Sequence, residues 1–374
     1  MDFKTKKSGD YIDQLTWLRG IAAFFVIVSH TIRATEVKYS SHDEISSFFF
    51  MSLFDLGSFG VVLFFVLSGC TLYISNSDKM GRKGIIIFYI KRFFRIWPAF
   101  AVSLVPYIGI GFIFSVLYIE AQGHWVEKQF LSQYSIYDLF SYLSFTFNIT
   151  GPGGLFNNAY WSLPVEFQYY IIFPIIVASL RYGVFGPIIL GVSLYLLPKL
   201  DFFYFDNNIV FTLAFSFCGG VLVGYIYKKT EFRIKSFVGV VILAVLVSLA
   251  VAIARSYIVL PDIPVVSGKW NWYGGIAIIT VFVSLVTKIR LYNRVEIFLK
   301  HYGTISYGTY LYHNIFVAIA VLFIIHFEIY DSSLRLFITF VFTLIASYLF
   351  AAASYRYIEK PSIAFGRSII NKYF

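Results

Sequence analysis

Apolar residues in this chain come in long runs, not in the narrow stripes of a water-soluble helix. The runs fall at about 15–32, 58–75, 97–119, 161–180, 184–198, 209–227, 236–254, 272–289, 303–326 and 334–356, with short polar connections between them. A helix needs about 20 apolar residues to cross about 30 Å of hydrocarbon. The pattern therefore predicts an all-α, polytopic transmembrane helical bundle of about ten spans. A single membrane-embedded domain occupies residues 1–374, its last 18 or so forming a cytoplasmic tail. The weakest span is 184–198, which is short and contains Gly186 and Pro187. Phe48–Leu56 and Phe140–Phe147 read as partly embedded helices. The longest polar connection, from about Glu120 to Tyr160, is too short and too aromatic to be a separate enzyme domain, and no internal repeat or low-complexity tract is evident.

The first run carries two ionisable residues, Arg19 and His30. An arginine at mid-bilayer costs about 2.5–3.5 kcal/mol on insertion scales, so such residues face cavities and carry function. Eleven helical steps turn about 1100°, roughly 20° beyond three full turns, so both side chains share one face about 16 Å apart along the axis. Alone, His30 also suits a helix-end position in contact with water, and Arg19 suits snorkelling to the interface. Their common stripe favours the wall of an intramembrane site.

Composition agrees with the membrane reading: 59% of the residues are hydrophobic, 21% aromatic and 13% charged. A net charge of +10 is also a feature of nucleic-acid binders, but its distribution argues against such a partner. With the N-terminus in the cytoplasm, most of the 30 Lys and Arg fall on inward-facing segments and the acidic residues run the other way. This is the positive-inside pattern, and it places both termini in the cytoplasm. Lys4, Lys6 and Lys7 before an apolar run resemble a signal peptide, yet no small-residue cleavage site follows and Arg19 interrupts the run, so it reads as a retained span. Cys70 and Cys218 lie inside spans without a CxxC motif, and no histidine cluster has zinc-ligand spacing. Neither a disulfide nor a metal site is expected.

Several polar groups remain as candidates. Neutral imidazole is the usual general base near pH 7, which makes His30 the first. Glu166, in Trp161-Ser162-Leu163-Pro164-Val165-Glu166-Phe167, lies at similar depth, where a carboxylate can orient an imidazole and stabilise its imidazolium. A structural ion pair or a helix N-terminal charge is its plainer role. The preceding loop, Gly151-Pro152-Gly153-Gly154 with Asn157 and Asn158, can approach a ligand closely. Asn157, Asn158 and Ser162 are candidate oxyanion donors. Arg92 and Arg95 are three residues apart on one helical face. Their planar donor forks suit phosphate, although basic residues beside a span also serve topology and anionic lipid. His313, in Ser306-Tyr307-Gly308-Thr309-Tyr310-Leu311-Tyr312-His313, is either a site wall or a satisfied interior histidine. Gly57, Gly60, Ser68 and Gly69 read as close helix packing. Pro361, in Glu359-Lys360-Pro361, reads as the stop of the last span.

In order along the chain, these motifs resemble the acyltransferase-3 family of bacterial integral membrane O-acyltransferases, the O-antigen and exopolysaccharide O-acetylases among them. Arg19 to His30 looks like its Arg-x10-His motif. Phe64 to Gly69 is similar to its second-span motif, Arg92 to Pro98 to its Arg-x-x-Arg motif, and Trp161 to Phe167 to its Trp-Ser-Leu-x-x-Glu motif. Ser306 to His313 and Glu359 to Pro361 match its C-terminal pair. Gln14 replaces the family's common Gly, and Pro164 its more usual Ser.

The resemblance implies transfer of an acyl group, most often acetyl, from acyl-CoA to a hydroxyl of a glycan, glycolipid or lipid-linked sugar. It implies a place in the bacterial cytoplasmic membrane, with acetyl-CoA as co-substrate and no resident cofactor. It puts functional weight on Arg19, His30, Arg92, Arg95 and Glu166; the residue chemistry then suggests His30 as base oriented by Glu166, and Arg92, Arg95 and Arg19 as holders of the donor's phosphates. Some family members carry a C-terminal hydrolase-like domain, and a chain ending about 18 residues after its last span is expected to lack it. The rival classes are a proton-coupled transporter or flippase of an envelope metabolite, using the same ionisable residues as a relay, and a non-catalytic lipid- or glycan-binding scaffold. The sequence lacks the internal symmetry of the first, and the second needs no stripe shared by Arg19 and His30.

Overall fold

The computed structural model describes residues 12–35, 56–116, 130, 133–151, 154–199, 209–259, 268–287 and 292–374. The lysines before residue 12, the proposed helix at 48–55, the end of the span predicted at 97–119, and Pro152 and Gly153 lie outside the described residues.

Thirteen helices carry the argument: α1 (Asp13–Ala34), α2 (Leu56–Asn76), α3 (Arg82–Val116), α4 (Ile136–Leu143), α5 (Ser162–Ser179), α6 (Phe185–Leu196), α7 (Ile209–Lys229), α8 (Ser236–Val259), α9 (Lys269–Val286), α10 (Asn293–Thr304), α11 (Ser306–His326), α12 (Ser332–Ser354) and α13 (Lys360–Tyr373). Among the described residues, nine helical stretches are long and apolar enough to cross a membrane. This is a polytopic membrane protein. The tenth expected span, 184–198, is instead α6, a helix of 12 residues. At about 1.5 Å per residue it is about 18 Å long, well short of the hydrocarbon thickness.

The chain divides into two compact units, one formed by Met1–Val26, Phe48–Ile85 and Ile171–Thr304, the other by Ile27–Ser47, Ile86–Tyr170 and Ile305–Phe374.

The first unit is built on glycines that let backbones touch. A side-chain carbon at Gly69 on α2 would lie 2.3 Å from the Phe217 carbonyl oxygen of α7, and one at Gly220 on α7 would lie 2.2 Å from that of Val66. Gly60 on α2 meets Ala22 of α1 in the same way. Lipid tails give apolar helices no hydrophobic reason to associate, so close van der Waals packing carries the contact. The packing role read for Gly60 and Gly69 is what these distances require. At the ends of α2 and α7, Lys228 Nζ pairs with Asp78 Oδ2 at 2.6 Å.

In the second unit, α11 lies along α12, with Gly308 against Ala351. Between α3 and α5, α4 is capped: the Ser135 hydroxyl accepts from the Asp138 backbone, and the Asp138 carboxylate accepts from the Ser135 N–H at 2.7 Å. These donors hold the Asp138 carboxyl below the usual carboxylate range. Trp97 donates its indole N–H to the Leu143 carbonyl at 2.7 Å, tying α4 to α3. Within Phe140–Phe147, where one embedded helix was expected, α4 ends at Leu143 and a separate helical turn starts at Phe147. Pro164 sits in the first turn of α5, where the missing N–H has no helical partner to lose.

The last span does not stop at Pro361. After Ser354 the helix widens into one π turn, Tyr355–Glu359, and continues as α13. Pro361 falls in the first turn of α13, the position where helices tolerate proline. The residues expected as a tail pack onto α3: a side-chain carbon at Gly366 would lie 2.8 Å from Phe94 Cβ, and Phe365 meets the Phe94 ring edge-on at 5.4 Å.

Gly220→Val should therefore force α2 and α7 apart and lower the thermal stability of the detergent-solubilised protein by about 1–3 kcal/mol. Gly109→Ala, in open space on α3, should leave it unchanged within error. A thermal unfolding series of the two variants checks both.

Candidate active site

Two groups of polar side chains stand inside the second unit. The first is centred on His30 of α1. Its Nδ1 lies 2.8 Å from Asn314 Oδ1 and 3.0 Å from His313 Nε2, both on α11. The two imidazole centroids are 4.9 Å apart. His313 and Asn314 are fully buried and His30 is half-buried. His313 Nδ1 faces two backbone carbonyls, Tyr310 at 2.9 Å and Thr309 at 3.2 Å. Asn314 donates its amide to Asn157 Oδ1 at 2.7 Å.

Asn157 joins the connection before α5 to this group. Phe156 just before it holds a left-handed φ of 60°. This costs a β-carbon residue of order 1 kcal/mol or more and persists where the surroundings over-determine it. The Asn157 amide then donates to Tyr107 Oη at 2.7 Å and to the Leu311 carbonyl at 3.1 Å. Its Oδ1 accepts from the Ala159 N–H at 2.8 Å as well as from Asn314. Tyr107 donates its own hydrogen to Leu311 at 3.0 Å. Buried polar groups need such partners, because an unmet amide in an apolar interior costs about 1–3 kcal/mol.

At three of the expected positions the structure shows other partners. Asn157 was expected as an oxyanion donor, but both its amide hydrogens are committed to Tyr107 and Leu311 and it braces Asn314 instead. Ser162 is likewise occupied. The Tyr310 hydroxyl donates to the Ala159 carbonyl, so the 2.6 Å contact between Ser162 Oγ and Tyr310 Oη uses the Ser162 hydrogen. Glu166 was expected to orient His30, but that ring is held by Asn314 and His313, and Glu166 accepts from the Tyr170 hydroxyl one turn along α5. Asn158 opens the 3-10 turn Asn158–Trp161 and is partly exposed.

The second group gathers the arginines. Arg92 stands over the rings of Phe88 at 5.8 Å and Tyr170 at 5.9 Å, and that same Tyr170 serves Glu166. Ring faces attract a guanidinium and hold its plane. Arg95 pairs with Glu359 at 3.8 Å. Glu359 is fully buried, and among the described residues neither of its oxygens has a hydrogen bond. The Tyr307 hydroxyl donates to the Ile96 carbonyl at 3.0 Å, so α11 reaches α3 beside Arg95. Arg19 belongs to the first compact unit, eleven residues before His30 on α1, and is partly exposed.

Sequence reasoning missed Asn314, Tyr107 and Glu359. An amide inside the apolar run after His313 was a usable signal for Asn314, since such a group must find a partner in hydrocarbon. Glu359 was read as part of a helix end, and only the π turn brings it inside.

Comparison with known proteins gives a consistent picture. Residues 12–352 match the acyltransferase domain of the Acyl_transf_3 family. The chain is 26% identical over 396 aligned residues to a Staphylococcus aureus strain COL protein named "Putative O-acetyltransferase", covering 96% of this chain and 58% of that protein. A protein of strain MSSA476 with the same name is 27% identical, over 82% of this chain and 52% of its own length. An "O-acetyl transferase" of Shigella phage Sf6 is 31% identical over 44% of this chain and 46% of its own. The chain thus spans little more than half the length of the curated relatives it matches. No solved structure matches it.

Removing one partner of a buried ion pair strands the other charge. Arg95→Ala should destabilise the protein by about 2–3 kcal/mol, less than for a fully enclosed pair because Arg95 is partly exposed. Adding Glu359→Gln to Arg95→Ala should recover most of the loss, as read by chemical unfolding in detergent.

Proposed function

This chain belongs to the acyltransferase-3 family, and on that premise we propose that it transfers an acetyl group from acetyl-CoA to a hydroxyl of a cell-envelope glycan, glycolipid or lipid-linked sugar in the bacterial cytoplasmic membrane. His30 is the general base. The observation that carries this reading is an imidazole held at Nδ1 by Asn314 and His313, while among the described residues no hydrogen bond reaches its Nε2. A base needs one nitrogen anchored and the other open to the proton it removes.

In this reading the acceptor oxygen attacks the thioester carbonyl as its hydroxyl proton passes to His30 Nε2. Collapse of the tetrahedral intermediate breaks the carbon–sulfur bond, and His30 returns the proton to the departing thiolate. The products are an acetyl ester and free CoA. The anionic nucleotide end of the donor cannot enter hydrocarbon without heavy cost, so Arg92 and Arg95 hold its phosphates at the cytoplasmic face. Arg92 is already oriented by Phe88 and Tyr170. Glu166, hydrogen-bonded to Tyr170 beside Arg92, positions that end of the path.

Membranes bearing the wild-type protein should move label from acetyl-CoA into an envelope glycan or glycolipid. His30→Ala should reduce this transfer by about 10²–10⁴-fold while CoA still binds. Arg92→Ala should weaken CoA binding and leave turnover at saturating donor nearly intact. Equal loss of transfer and CoA binding in His30→Ala would remove His30 from the base role.

A further inference from the structure

We infer that two separate backbone anchors lock His30 in the tautomer that carries its hydrogen on Nδ1, so that the Nε2 lone pair is presented to substrate, with Asn314 and His313 as the positioning residues. The inference deepens the proposed function, since it concerns the base of that reaction.

The first anchor is the Ala159 backbone N–H, which only donates. It donates to Asn157 Oδ1 at 2.8 Å and so fixes which end of that amide is oxygen. The Leu311 carbonyl, which only accepts, fixes the other end as nitrogen. Asn157 Oδ1 must then receive its second hydrogen from Asn314 Nδ2, 2.7 Å away. The Asn314 oxygen is thereby turned towards His30 Nδ1 at 2.8 Å. An amide oxygen has no hydrogen to give, so His30 Nδ1 is the donor.

The second anchor is the pair of carbonyls at Thr309 and Tyr310. Both accept only, so His313 carries its hydrogen on Nδ1. The neutral ring then has a lone pair on Nε2, 3.0 Å from His30 Nδ1. Again His30 Nδ1 must donate. The two routes share no donor or acceptor before they meet at His30. With the opposite tautomer, the His30 Nδ1 lone pair would face two further lone pairs in a dry interior, where unmatched polar groups are most costly. When His30 accepts a proton at Nε2, the resulting imidazolium keeps its Nδ1–H between two acceptors. Asparagine and histidine thus take over the orienting role that a carboxylate plays in hydrolytic triads.

The test is nitrogen NMR on the full chain in nanodiscs with 15N-labelled histidine, the His30 signals being identified by their absence in His30→Ala. The expected spectrum near neutral pH shows a protonated, pyrrole-type Nδ1 and an unprotonated, pyridine-type Nε2 at His30. Each of Asn314→Leu and His313→Phe removes one anchor and should keep that pattern. The double variant should give a mixture of tautomers, with turnover of acetyl-CoA reduced several-fold, well short of the loss in His30→Ala, and its KM unchanged. A protonated Nε2 in the wild type overturns the inference, as does a double variant that folds and keeps a single tautomer. Should the double variant fail to fold, the wild-type spectrum decides alone. A spectrum of the expected form in a protein that transfers no acetyl group would leave the tautomer standing and refute the proposed reaction.

Discussion

Hydrocarbon solvates neither an amide nor an imidazole, so a polar side chain buried among these helices is costly unless another part of the protein answers it. That constraint organises the second unit. Asn157 uses both amide hydrogens and both lone pairs of its oxygen, and Asn314 and His313 pass what remains to His30. The fixed points are backbone groups of the connection before α5 and of α11. Their hydrogen-bonding sense cannot be reversed, so the side chains between them have one consistent orientation. Such fully satisfied networks specify a unique interior, whereas a half-satisfied one is worse than none.

The two polar groups are joined by helices and not by long side chains. α11 carries Tyr307 beside Arg95, Tyr310 against Ser162, and His313 and Asn314 against His30. α5 carries Ser162, then Glu166, then Tyr170 under Arg92, one residue per turn. An i, i+4 spacing puts these residues on one stripe. Two facing stripes thus line the distance from the arginines to the histidines, in a region whose remaining contacts are largely aromatic, such as Phe100 with Tyr160 and Tyr107 with Tyr160.

Much of this was legible in the sequence. The spans follow from hydropathy, His30 stands out through the cost of an ionisable group in a membrane, Arg92 and Arg95 stand out through their shared helical face, and the glycine contacts follow from small residues recurring along α2. Pairing was less legible. Equal depth suggested that Glu166 meets His30, but depth fixes only one of three coordinates, and rotation about α5 turns Glu166 towards Tyr170. Asn157 looked available for a ligand because its own sequence neighbours are loop-like. Its partners, Tyr107 and Leu311, are 50 and 154 residues away. The short α6 was overcounted because an apolar run signals burial in lipid or protein without telling the two apart, and its 12 residues sit between 3-10 turns.

The π turn at Tyr355–Glu359 resets the phase of the last helix. The inward stripe of α12 runs Thr339, Thr343, Ser347, Ala351 and Ser354, at helical intervals. Continued without interruption, the next inward place would fall to Ile358, and Glu359 would point about 100° away. The wider turn takes up one extra residue and hands that place to a carboxylate. Everything beyond then keeps time with Glu359 and not with α12. Gly366, seven residues or two turns later, comes round to the same side and meets Phe94, one position before Arg95. A single residue let into the ladder thereby aligns the end of the chain with α3.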